Sequence, residues 1–237
     1  MTSLFRHLVH VALAEPDRPS LMFFENREEA GRQLAARLAA YRGPSTVVLA
    51  LPRGGVPVGR EIAKALGAPL DLLLVRKIGA PNQPELAIGA IADGGQPDLV
   101  LNERVSRILD VSPDYLEREK VRALAEIERR RRYYLQGRPP VAVSGRTAIL
   151  TDDGLATGMT ALAALRSLRR QKPRRIVLAV PVASPDTLEM LQPETDEVVC
   201  LKISSELMAV GQAYLDFRQL DDDEVVALLA SEGPARA

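Results

Sequence analysis

Short apolar and β-branched runs alternate along this chain with longer segments whose apolar residues recur every three to four positions. Residues 46–51, 72–75, 176–180 and 198–201 read as strands, and each is apolar almost throughout. That pattern belongs to strands covered on both faces, as in a parallel sheet. Residues 27–41, 56–66, 159–171 and 185–192 read as the intervening helices. Val58, Ile62 and Leu66 share one helical face, as do Met159, Leu162, Leu165 and Leu168. The expectation is an α/β domain, a mostly parallel sheet flanked by helices.

Element boundaries carry their own signals. Asn26 precedes the first helix, with Glu29 three residues on as a capping-box partner, and Gly43-Pro44 ends it. Ser112-Pro113 opens a long helix to about Leu135, and residues 222–230 form a short last one. Residues 1–20 read as an N-terminal extension and 21–237 as a single domain. With 46% hydrophobic residues, such a domain can fill a core without disulfides. Cys200, the only cysteine, lies in an apolar run and reads as a buried strand residue suited to a reducing cytosol. No stretch is long and apolar enough to span a bilayer, and the first twenty residues lack a signal-peptide core, so a cytoplasmic location is expected.

Composition also narrows the partners. Basic and acidic residues balance at 31 each, so no global field recruits nucleic acid. The basic run 129–132 shares its helix with Glu117, Glu119, Glu126 and Glu128 and reads as a solvated face. One cysteine and two histidines do not make a zinc site.

Residues 149–160, Ile-Leu-Thr-Asp-Asp-Gly-Leu-Ala-Thr-Gly-Met-Thr, carry most of the functional information. They join a strand, a loop and a helix start, and open α/β sheets bind ligands beyond the carboxyl ends of their strands. Asp152 and Asp153 can hold sugar hydroxyls or a hydrated cation there. Thr157-Gly158-Met159-Thr160 offers backbone N–H groups and hydroxyls to a phosphate at the positive end of a helix. The helix dipole contributes about 0.3–1 kcal/mol, and each hydrogen bond to a charged oxygen about 1.5–3 kcal/mol. Loop shape therefore outweighs the dipole. A plain solvated turn with Thr157 as an ordinary N-cap is the alternative, but it leaves four features in register unexplained. The Gly-Lys-Ser/Thr end of a P-loop is absent, and Gly54-Gly55-x-x-x-Gly59 lacks the dinucleotide spacing.

Two more segments point the same way. Pro52-Arg53-Gly54-Gly55 forms another strand-to-helix turn. It is either a tight glycine turn with a surface arginine or an anion cradle in which backbone N–H groups approach closely and Arg53 adds a forked donor. Arg76 and Lys77 stand at the end of the 72–75 run, before a Pro/Gly-rich loop at 78–85. Residues 86–92 then read as a strand, and Gly94-Gly95 as a turn.

Residues 147–160 resemble the signature of the type I phosphoribosyltransferases, which bind 5-phosphoribosyl-1-pyrophosphate (PRPP). The resemblance implies that Asp152 and Asp153 contact the ribose hydroxyls. Ala156, Thr157, Gly158, Met159 and Thr160 would wrap the 5-phosphate, and Arg53, Gly54 and Gly55 would cradle pyrophosphate. Such loops often hold a non-proline cis peptide, expected here at Arg53–Gly54. Residues 76–85 resemble the mobile flap of that family, and Arg76 and Lys77 would neutralise the leaving group. The chain ends, including residues 200–220, would form a small hood. Tyr214 and Phe217 there are either stacking partners for a planar acceptor or hood core. Mg2+, held mainly by ligand oxygens near Asp152 and Asp153, is the implied cofactor, and a homodimer the implied assembly. The implied reaction is Mg-dependent transfer of the phosphoribosyl group to a nitrogen acceptor such as a nucleobase. The alternative is a non-catalytic regulator of the same fold that binds PRPP or nucleotides. One departure stands out: 6-oxopurine enzymes usually carry Asp where this chain has Ala156, which argues against those acceptors.

Overall fold

A computed structural model describes residues 23–93 and 98–230. The expected N-terminal extension and the Gly94-Gly95 turn lie outside them. The first helix, α1 (Arg27–Arg37), is capped by Asn26, whose side chain accepts from the Glu29 N–H. The Glu29 carboxylate reaches the N–H of Glu25 rather than that of Asn26. A 3-10 turn over Ala39–Tyr41 completes the segment read as helix to Tyr41.

Five strands form a parallel sheet, in the order β2 (Leu70–Leu72), β1 (Thr46–Ala50), β6 (Thr147–Thr151), β7 (Arg175–Ala183), β8 (Glu197–Ile203). Every residue of β1 and β6 is buried, which is why neither alternates in sequence. On one face, α5 (Met159–Arg170) packs Leu162, Leu165 and Leu168 against Leu49, Leu150 and Leu178. On the other, α1 and α2 (Gly55–Leu66) cover Val48, Ile149 and Val177 with Leu34, Val58, Ile62 and Leu66. Each such leucine or isoleucine contributes about 1.5–3 kcal/mol by leaving water. Cys200 is buried in β8, as expected.

The 72–75 run departs from its reading as one strand. Its first part ends β2, and Val75 begins β3 (Val75–Ala80), which belongs to a separate antiparallel sheet with β4 (Gln83–Ala92) and β5 (Asp98–Leu101). Leu73 and Leu74 cross between the sheets. The Leu73 N–H donates to Ala50, and the Leu74 N–H donates to the buried Asp93 carboxylate. An uninterrupted apolar run cannot show such a change of sheet, because both ends of it are buried. The segment read as a loop at 78–85 is accordingly a hairpin, turning at Asn82 with φ 61.

The short α3 (Glu103–Ile108) leads to α4 (Pro113–Leu135), which begins at the Ser112 cap as read from sequence. α6 (Pro185–Leu191) and α7 (Asp222–Ala230) are the last α-helices of the described residues.

Candidate active site

The strand order places a crevice between β1 and β6. The helix after β1 leads to β2 on one side, and the helix after β6 leads to β7 on the other. Loops leaving these two strands diverge, so the gap between them is the switch point at which open sheets take ligands. Arg53, Gly54 and Gly55 follow β1, and Asp152 and Asp153 follow β6.

The two loops are in close contact. A Cβ added at Gly54 would lie 1.9 Å from the Asp153 Oδ2 atom, and one at Gly55 would lie 2.9 Å from the Thr151 carbonyl oxygen. A side chain at Gly54 would displace the Asp153 carboxylate, and one at Gly55 would meet the backbone leaving β6. A non-proline cis peptide does occur in the first loop, at Pro52–Arg53, one bond earlier than the expected Arg53–Gly54. Arg53 itself is exposed and stands 3.7 Å from the Asp222 carboxylate at the start of α7. Tyr134 also donates to that carboxylate, at 2.6 Å.

Asp152 and Asp153 sit side by side, and Asp152 Oδ1 accepts from the Asp153 N–H at 2.9 Å. Burial, and then the neighbouring Asp153 charge, hold the Asp152 carboxyl well above the usual carboxylate range. Burial raises Asp153 as well, but Arg27 opposes it. The Arg27 Nε donates to Asp153 Oδ2 at 2.8 Å, and the Tyr214 hydroxyl donates to the Asp153 carbonyl at 2.5 Å. Arg27 went unnoticed in the sequence. The available signal was its position: a cation in the first turn of a helix opposes the dipole unless it has an acidic partner.

The loop after the acids is held from β7 and α6. Leu155 bridges to Ala183, and the Thr187 hydroxyl donates to the Ala156 carbonyl at 2.8 Å. Gly158 has φ 68, a left-handed conformation that favours glycine, and begins α5 as its N-cap. Among the described residues, the backbone N–H groups of residues 157–161 find no acceptor. Thr157, Gly158, Met159 and Thr160 thus present the open end of a helix on the carboxyl side of the sheet, as an anion site requires.

Other expected residues lie differently. Arg76 and Lys77 are exposed on β3, not in a loop. As strand neighbours they point to opposite faces, so they do not present a joined basic pair. Tyr214 is only 6% exposed. Its ring packs at 5.5 Å from Phe24 and stacks at 5.1 Å on Phe217, and Phe217 in turn carries the Arg27 guanidinium at 3.9 Å. Tyr214 is thus packed between its neighbours as a core residue is, whereas Phe217 stays half-buried. Among the described residues, no cluster of three or more His, Cys, Asp or Glu side chains is placed to hold a metal.

A concavity of about 750 Å³ lies elsewhere, lined by Asp71, Asp93, Arg131, Val141 and Gln171 among others, and by no residue of the two crevice loops. Its acids serve the fold. Asp71 accepts from the N–H groups of Leu72 and Val141, and Asp93 pairs with Arg131. Burial raises both carboxyls.

Comparison with known proteins agrees with this geometry. A family model described as a phosphoribosyl transferase domain matches residues 23–217. Counterpart proteins from two strains of Mycobacterium tuberculosis, which carry a provisional phosphoribosyl transferase name, are 46% identical over 209 residues. The match covers 88% of this chain and 47% of theirs, so the chain spans about half the length of those curated relatives. A crystal structure of a Thermus thermophilus protein superposes with a TM-score of 0.75 at 45% identity, covering 89% of this chain and 99% of that one. Among the described residues, no helix is long and apolar enough to cross a membrane.

Proposed function

Because this chain belongs to the phosphoribosyl transferase family, we propose that it moves the 5-phosphoribosyl group of PRPP onto a nitrogen acceptor and releases pyrophosphate. The observation that carries this reading is the meeting of the glycine loop after β1 with the acid pair after β6, beside the open N-terminus of α5.

Departure of pyrophosphate from C1 leaves positive charge on the sugar ring. An enzyme for this step must hold the sugar, neutralise the leaving anion and exclude water. Asp152 and Asp153 accept hydrogen bonds from the ribose hydroxyls and face the developing charge. Ala156, Thr157, Gly158, Met159 and Thr160 hold the 5-phosphate through backbone N–H groups and hydroxyls. Gly54 and Gly55 let backbone donors approach the pyrophosphate, and Arg53 turns from Asp222 to meet it. One of Arg76 and Lys77 adds charge from the antiparallel sheet. Phe217 and Tyr214 brace the hood.

Mg2+ fits these residues only as a ligand-borne ion. Two hard carboxylates stand at the crevice, and no third acidic or histidine ligand joins them among the described residues. When bound, it would take most of its oxygens from PRPP beside Asp152 and Asp153 and offset charge on the leaving anion. Ala156 leaves the acceptor side without the acid usual for 6-oxopurines, so the acceptor belongs to another nitrogen class.

Titration calorimetry with PRPP, with and without Mg2+, tests the donor half. Heat that requires Mg2+ is expected, and no heat in either condition overturns the reading. Pyrophosphate release over a panel of nucleobases tests transfer, with Asp152→Asn and Asp153→Asn as controls. Release that persists unchanged in both variants removes these acids from the mechanism. Light scattering checks the homodimer that belongs to the same reading.

A further inference from the structure

We propose that Arg27 is a positioning residue that locks the hood onto the sugar-binding carboxylate of Asp153, so that the donor site and the acceptor cover are built as one unit. This rests on the function proposed above and assigns a role to a residue outside all of its loops.

Arg27 is the first residue of α1, and its side chain is 9% exposed, against 13% for that of Asp153. Two nitrogens and one flat side of its guanidinium are engaged. Nε donates to Asp153 Oδ2 at 2.8 Å, Nη1 donates to the Arg218 carbonyl at 2.9 Å, and the flat side lies 3.9 Å from the Phe217 ring centre. Phe217 stacks on Tyr214, and the Tyr214 hydroxyl returns to the Asp153 carbonyl. The contacts close a ring from Asp153 through Arg27, Phe217 and Tyr214 back to Asp153. Three of its four connections run through the hood, and the ring as a whole holds the side chain of the acid through Arg27 and its backbone through Tyr214.

The ring has a chemical consequence. Asp153 stands beside Asp152, and two adjacent carboxylates repel each other. A buried guanidinium on one of them favours its ionised form against the burial that opposes it, and fixes its rotamer. Arg27 engages Oδ2, and the carboxylate keeps further lone pairs to accept from a sugar hydroxyl. A lysine supplies the charge, but it cannot bond Asp153 and Arg218 in one plane while stacking on Phe217. An apolar residue of similar length supplies neither. The same guanidinium ties hood residues 217 and 218 to α1, so a sugar that displaces or tightens the Arg27–Asp153 bond also shifts the hood.

The test is titration calorimetry of PRPP with Mg2+ on wild type, Arg27→Met, Arg27→Lys, Asp153→Asn and the double variant Arg27→Met/Asp153→Asn. The expected result is a PRPP affinity about ten- to hundredfold weaker for Arg27→Met, with part of the loss recovered by Arg27→Lys. In the Asp153→Asn background the same Arg27 change should cost less than about threefold, because its partner is already neutral. Should Arg27→Met not fold, Arg27→Gln and Arg27→Lys make the same comparison. Wild-type affinity in the single Arg27 variants, or an equal loss in both backgrounds, overturns the assignment while leaving the proposed function intact. A wild type that binds no PRPP removes the proposed function and this role with it.

Discussion

Replacing Gly54 with alanine isolates the contact between the two crevice loops. Gly54 has φ −60 and ψ −33, which alanine adopts without strain, so the backbone adds no penalty. The new methyl would lie 1.9 Å from Asp153 Oδ2 and 2.4 Å from its Cγ, where ordinary contact begins at 3.4 Å. The carboxylate must therefore retreat by about 1.5 Å, which is overpacking of the kind that costs about 1–3 kcal/mol. The retreat also breaks the 2.8 Å bond from Arg27, and a charge-assisted bond of this kind is worth about 1.5–3 kcal/mol. Together these destabilise the fold by about 2.5–6 kcal/mol, a fall in Tm of roughly 5–24 °C for a chain of this size. PRPP affinity should drop at least about tenfold, since 1.4 kcal/mol is a factor of ten. Scanning and titration calorimetry read the two effects. In an Asp153→Ala background the methyl has room, and the stability cost of Gly54→Ala should shrink by more than about 1 kcal/mol. A single variant that melts and binds like wild type, or an equal cost in both backgrounds, refutes the argument.

Three further outcomes are expected. Asp152 is held above its ordinary pKa, so its ionised form costs stability. The ligand-free protein should gain Tm as the pH is lowered from 7.5 towards 5, and Asp152→Asn should flatten that slope and melt no lower than wild type at pH 7.5. A steeper slope in the variant would contradict this sign. Gly158→Ala forces a side chain into the left-handed region, at about 1–2 kcal/mol, and brings a methyl within 2.6 Å of Thr187 Cγ2 and 2.8 Å of Met190 Cε; weaker binding of ribose 5-phosphate by calorimetry and a lower Tm should appear together. Leu168→Ala empties a site that is 0% exposed between α5 and the sheet, so denaturant titration should show a loss of about 2–5 kcal/mol, with PRPP affinity per folded molecule unchanged.

Much of this was legible in the residues. Ser112-Pro113 marked the start of α4, which ends at Leu135 as read, and the acid pair and threonine loop were read beyond the carboxyl end of a strand, where they lie after β6. What stayed hidden was non-local. Nothing in Leu72-Leu73-Leu74-Val75 shows that it serves two sheets, because burial on both sides erases the alternation that would mark the boundary. The hairpin at Asn82 hid behind Pro81 and Pro84, which read as loop formers but tolerate strand ends at a turn. Four-residue β5 and six-residue α3 are too short for periodicity to register. Tyr214 had two equal readings because ring stacking and ring burial demand the same residue type. Arg27 was missed because its partner lies 126 positions away.

The antiparallel hairpin that carries Arg76 and Lys77 is a cantilever with a long fixed base. Ala90, Ala92 and Val100 belong to the same apolar layer as α5, and Ile78, Ala80 and Ile88 rest on Tyr115 and Leu116 of α4. The Tyr115 hydroxyl also donates to the Gly79 carbonyl, at 2.9 Å. Only the bend past Ala80 projects beyond that support. A closing stroke of the whole arm would have to drag α4 along with it, so the travel open to this element at low cost is the curl of its tip.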